Sequence, residues 1–335
     1  MSARPVCARS RRLHGFRKPA RQSAAASRRC THAELGDHTC RWTSMATALA
    51  AFAEFDGRVQ SERHILPLHW YVACRLVVEG GFDPDDIIPR PPFRVERRRR
   101  KPPLLHFDPA LGGCGEGTVL GGIRAKHVDV LVSLARIGPV LSVSCKGVTG
   151  AFRNLGNRLE EIIGECSNLH MMHPALVIGH LVLLRGNRVT DQNSAEQNRP
   201  APDWRRGGGN AALAHDGEPV SPVRRFHDAL QVLARRRELM DQAGQCEAAA
   251  LAMVAMAEEC RTRLVPGFPS EESGLHFDSF FAALYARYDE RFVTRCPMLD
   301  RITRRHCWDR SSPGLRLFGL DYQPRVALLP SSDLL

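Results

Sequence analysis

From His127 to Leu184 the spacing of apolar residues changes period several times. His127–Val132 is apolar except for His127 and Asp129, and the run breaks at Arg136–Pro139. Val140–Lys146 then alternates apolar and polar residues, the pattern of a half-buried strand. Gly147–Gly150 interrupts it. Over 154–168 the period becomes helical, with Leu155, Leu159, Ile162, Cys166 and Leu169 on one stripe. Leu176–Leu184 is a continuous apolar run broken only by Gly179 and His180, which predicts a buried strand. The unit therefore reads strand, tight turn, strand, helix, strand.

The flanking pattern is less regular. Ser61 stands as the cap of a helix whose stripe runs through Ile65, Leu66, Trp70, Ala73, Cys74, Val77 and Val78 to Gly80. Phe82–Pro89 reads as a turn-rich exit, Leu104–Phe107 as a first strand and Gly112–Gly117 as a connector. After Arg185 the composition turns to Asn, Gln, Pro and Gly, which predicts a linker or mobile loop over 191–220. Three helices are predicted beyond it. The first is opened by Ser221 and Pro222 and carries Val223, Phe226, Leu230 and Leu233. An Ala- and Met-rich helix follows over Cys246–Cys260, and a third over Leu275–Val293. The pattern is weak over 294–335.

Charge changes the picture at one end. The chain of 335 residues has a formal net charge of +11, and residues 1–44 supply +8 of it, with Glu34 and Asp37 as their only acids. That composition predicts a disordered basic arm or a start placed too far upstream, with the body beginning at Met45. Arg97–Lys101 is a run of five basic residues between prolines, read as an exposed loop. Eleven cysteines without paired spacing argue for a reducing, cytoplasmic setting. Cys30, His32, His38 and Cys40 match no common zinc spacing. No apolar stretch reaches the length of a membrane span. His180 reads as a hydrogen-bonded core histidine, and His170 with His173 as residues outside any metal site.

Chemistry concentrates in the central unit. An acid in one apolar strand and a lysine at the end of the next are costly to bury unless both are used. The order Asp129, then Ser144, Cys145 and Lys146, then Glu160 resembles the PD-(D/E)XK nuclease superfamily, in the variant that has Ser-x-Lys and a glutamate moved to the following helix. In that variant thirteen residues separate lysine and glutamate, and residues 147–159 number thirteen here. The proline of the family's name is absent before Asp129, where His127 and Val128 stand.

The resemblance covers roughly 60–190 and implies an α/β fold: a restriction endonuclease-like core over 45–190 with a central mixed sheet flanked by helices. A helical C-terminal segment would follow over 221–293. It implies a metal-dependent DNA endonuclease of restriction, repair or defence type. Mg2+ or Mn2+ would be held by Asp129, Glu160 and the backbone carbonyl of Cys145, since hard cations take oxygen ligands. Lys146 would steer the attacking water, and Ser144 would add a hydrogen bond. Arg153, Asn154, Asn157 and Arg158 lie on the polar side of the helix as candidate phosphate contacts. Glu161 lies as far beyond the opposite edge of the stripe as Glu160 and is its rival. DNA is the expected partner, and a homodimer is the assembly common among restriction enzymes. The alternatives are a nuclease fold that only binds nucleic acid or a partner, and a structural protein in which Asp129 and Lys146 form an ordinary salt bridge.

Overall fold

The computed structural model describes residues 38–55, 63–188, 211–256, 262–317 and 319–328. It is an α/β fold built on a mixed six-stranded sheet with helices on both faces. In chain order the elements are α1 (Met45–Glu54), α2 (Leu66–Val78), β1 (Ile87–Ile88), β2 (Phe93–Glu96), β3 (Leu104–Phe107), β4 (Gly117–Leu120), β5 (Ala125–Val128), β6 (Val130–Leu134) and β7 (Gly138–Val148). Then come α3 (Leu155–Met172), β8 (Val177–Arg185), α4 (Ser221–Leu233), β9 (Ala248–Met256), β10 (Thr262–Leu264) and α5 (Phe277–Tyr288). The main sheet runs β1-β6-β7-β8-β9-β10, while β2-β3 and β4-β5 form separate two-stranded ribbons. Pairing is antiparallel from β1 to β7, parallel across β7, β8 and β9, and antiparallel again to β10.

Strand alternation divides the core in two. Leu141, Val143, Cys145, Leu181, Leu183, Ala250 and Ala252 face α1, α2 and α5. Ile178, Val182, Leu184, Ala249, Leu251 and Met253 face α3 and α4. Every residue of β8 is buried, as expected of a central strand between two parallel neighbours. The aromatic face of α5 lies so close over it that a Cβ at Gly179 would come within 2.8 Å of the Phe280 ring. The β6–β7 turn closes through Gly138 at a φ of 95°, which favours glycine.

The predicted helix 154–168 and the strands at 140–146 and 176–184 form close to their expected bounds. Other expectations need correction. Residues 38–44 belong to the folded body: Cys40 is buried with its amide bonded to the Gly113 carbonyl, and Trp42 packs edge-on to Phe93. Residues 1–37, Ser61 and 189–210 lie outside the described residues, whereas Ala212 and Leu213 at the end of the expected linker are core residues. Leu104–Phe107 pairs with β2, and the first strand of the main sheet is Ile87–Ile88, inside the expected turn. The Ala- and Met-rich run is strand β9, not a helix. Its residues are good helix formers, but the sheet buries both of its faces, and an unbroken apolar run has no period to choose between the two. The C-terminal segment is therefore not a helical appendage, because it supplies β9 and β10. Residues 294–317 and 319–328 are also built in, with Trp308 and Ser312 fully buried.

One ionic cluster ties these parts together. The Glu247 carboxylate, at the entrance to β9, lies 2.6 Å from Arg236 Nη1 and 2.7 Å from Arg291 Nη1, and accepts the Ile178 amide at 2.7 Å. His170, from the end of α3, stands 3.5 Å away. Burial pushes the carboxyl's pKa up, but His170, Arg291 and the Ile178 amide outweigh it and hold it below the usual glutamate value. A depressed folded pKa gives stability that is present above the unfolded value of 4.5 and disappears as pH falls through the folded one. Glu247→Ala leaves two buried guanidinium groups without their anion and is expected to cost about 3–5 kcal/mol in urea denaturation. The stability gap between the wild type and this variant should narrow as pH is lowered beneath 4.5.

Candidate active site at the splayed end of β6 and β7

Asp129 is not inside a strand. It occupies the bend between β5 and β6. Antiparallel pairing of β6 with β7 starts at Val130, opposite Val143. Beyond that pair β7 continues through Ser144, Cys145 and Lys146 while its neighbour turns away. The Asp129 carboxylate fills the vacated edge: Oδ2 accepts the Cys145 amide at 2.6 Å and the Ser144 hydroxyl at 3.3 Å. These are charge-assisted bonds that hold an anion at the sheet edge. Within a strand the N–H and C=O of one residue point to the same edge, so the Cys145 carbonyl faces the same opening.

Alternation sends Ser144 and Lys146 to the α3 face and Cys145 to the α2 face. On the α3 side Lys146 Nζ lies 3.3 Å from Glu161 Oε1, and Arg158 Nη1 lies 2.7 Å from Glu161 Oε2. One helical turn on, the Glu165 side chain, only 1% exposed, meets Lys126 Nζ at 3.0 Å. Burial lowers the Lys146 pKa, but the carboxylates of Asp129, Glu165 and Glu161 prevail, so the ammonium is held above its ordinary value. Burial likewise raises Glu161, and Lys146 with Arg158 reverses that and keeps it ionised below the usual range. Lys146 is thus a fixed cation in a field of three acids, not a proton acceptor at neutral pH.

His180 lies opposite Ser144 on β8, fully buried, with Nε2 3.3 Å from Cys166 Sγ. Burial holds its pKa below the ordinary histidine value. It is the hydrogen-bonded core histidine expected of it. On the α2 side His69 Nε2 approaches Asp129 Oδ1 to 4.0 Å.

Of the residues singled out in the sequence, Asp129, Ser144, Cys145 and Lys146 come together. Glu160 does not join them: its side chain is exposed, and Glu161 stands at Lys146 in its place. The apolar stripe alone gave no preference between the two. Glu165 does, because its burial extends the inward face of α3 toward the side that carries Glu161 at i−4. Arg153 and Asn154, in the short 3-10 turn before α3, and Asn157 and Arg158, in its first turn, are all exposed, with Arg158 engaged by Glu161. The salt-bridge alternative takes a different form, since Asp129 has its closest ionic contact with His69 and Lys146 has its own with Glu161.

Sequence reading passed over His69 and Glu165. His69 had a visible signal, as a polar residue in a helix where eleven of thirteen residues are buried. Compared with family models, with characterised proteins and with solved structures, the chain matches none. Among the described residues no helix is long and apolar enough to cross a membrane.

Lys126 is the ammonium nearest to the buried Glu165 carboxylate. Lys126→Ala should therefore destabilise by about 3 kcal/mol. A Lys126→Ala/Glu165→Gln double variant should recover part of the loss, because it removes the stranded charge. Urea denaturation of the two single variants and the double variant measures the coupling.

Proposed function

We propose that the chain is a metal-dependent endonuclease acting on DNA. The observation that carries this reading is the convergence of Asp129, Lys146 and Glu161 beside the one edge where β7 loses its antiparallel neighbour. The order of β6, β7, α3 and β8, strand–turn–strand–helix–strand, is the one the PD-(D/E)XK resemblance calls for and supports it further.

The donor set suits a hard divalent cation. Asp129 and Glu161 offer carboxylate oxygens and Cys145 a backbone carbonyl, the oxygen ligands that Mg2+ or Mn2+ takes. When bound, the cation supplies Lewis acidity toward a phosphate oxygen and makes water a better nucleophile. The protein's own residues do the rest. Ser144 and the Cys145 amide hold Asp129 in one orientation. Lys146, kept cationic by the surrounding acids, offsets negative charge as it builds on the phosphate during hydrolysis. Arg153, Asn154 and Asn157 offer donors to a phosphate backbone crossing the start of α3.

A nuclease fold that binds without cutting is the second reading. The ion pair between Lys146 and Glu161 favours it, since that pair satisfies both charges without a substrate.

Plasmid cleavage by the full chain with Mg2+, Mn2+ or EDTA separates the two. Cutting should require the metal, fall by about 100-fold or more in Asp129→Ala, Lys146→Ala and Glu161→Ala, and persist in Glu160→Ala. A wild type that binds DNA without cutting it moves the assignment to the second reading, and cutting that survives Asp129→Ala overturns the placement of the site at these residues.

A further inference from the structure

We infer that His69, Asp129 and Cys145 form a second kind of site on the α2 side of the sheet edge, one that takes a borderline transition-metal cation of the Zn2+ class. One ring nitrogen of His69, one carboxylate oxygen of Asp129 and the Cys145 sulfur all lie within 4.8 Å of one another. They come from three elements, α2, the β5–β6 bend and β7, so the fold gathers them from distant points of the chain. Imidazole, carboxylate and thiolate are the ligand types of zinc sites. They discriminate against Mg2+, which demands oxygen.

Three features make this a built site. His69 and Cys145 are 3% and 4% exposed, so the nitrogen and sulfur are shielded from water. The Asp129 side chain is 15% exposed, which leaves a route for entry and for a solvent ligand in a fourth position. Its Oδ2 is already bonded to the Cys145 amide and the Ser144 hydroxyl, so Oδ1 is aimed at His69 Nε2, 4.0 Å away. Supporting bonds of this kind orient the ligands of metal centres. Around one tetrahedral cation with bonds of about 2.0–2.3 Å, the donor atoms lie about 3.3–3.7 Å apart. The existing 4.0 Å between His69 Nε2 and Asp129 Oδ1 is close to that spacing. Binding breaks the thiol S–H bond, forms a sulfur–metal bond and releases the proton to solvent. The site shares Asp129 with the nuclease reading but stands or falls separately.

Co2+ titrated into the metal-free full chain tests it by absorption spectroscopy. A tetrahedral visible spectrum and a near-ultraviolet thiolate-to-cobalt charge-transfer band are expected. Zn2+ should bleach both, and excess Mg2+ should not. The charge-transfer band should vanish in Cys145→Ser and remain in Cys307→Ser, whose thiol is exposed. Ser144→Ala should weaken cobalt binding about 10-fold. A wild-type spectrum that is only weak and octahedral, or a charge-transfer band that survives Cys145→Ser, overturns the inference. A band without DNA cutting overturns the nuclease reading alone, and cutting without a band overturns this site alone.

Discussion

Glu247 ties the parallel half of the sheet to the helices around it. Its backbone and side chain both bind Ile178, the amide of Glu247 donating to the Ile178 carbonyl at 3.0 Å and its carboxylate receiving the Ile178 amide. This locks the first residues of β8 and β9 side by side. The same carboxylate holds Arg236, just past α4, and Arg291, just past α5. A charge taken out of water costs several kcal/mol unless it is paired and hydrogen-bonded. The four elements that supply its partners are therefore tied to one another through this carboxylate. The register so set places Gly179 opposite Ala248.

A sheet buried on both faces leaves few places for polar chemistry. Here the place is an edge inside the sheet, where β6 gives way to the bend at Asp129 and β7 runs on without its neighbour. Backbone groups exposed at such a divergence must be satisfied, and the Asp129 carboxylate satisfies the Cys145 amide. The same substitution brings an anion to the midpoint between α2 and α3, so that one face offers lysine and glutamate and the other histidine and thiol. Structure and chemistry share one residue at this point.

The residues singled out in the sequence come together where neighbours in sequence are neighbours in space. Ser144, Cys145 and Lys146 are consecutive on one strand, and Asp129 reaches them through a short antiparallel turn. On α3 the contact to Lys146 comes from Glu161, one residue beyond Glu160. The phase of a helix against a sheet depends on how the chain enters it, and here the entry passes through Ala151 at a φ of 53° and a short 3-10 turn before Leu155. A count of thirteen residues carries no information about that rotation, whereas the burial of Glu165 does. His69 stands 60 residues before Asp129 on another element, and no local pattern links them.

Alternation and helical period determined β7, α3 and the apolar stripe of α2, because each of these presents a face whose spacing is written in its own residues. Tertiary structure decided the remainder. It made a strand of Ala248–Met256, since a run buried on both sides has no period and only its neighbours select its conformation. It drew residues 38–44, 294–317 and 319–328 into the body through contacts such as Trp42 on Phe93 and the Trp308 indole on the Val77 carbonyl. It bent the chain at Asp129 and turned Glu161, not Glu160, toward Lys146. Those choices depend on which surfaces meet, and a linear pattern records only the surface that each segment brings.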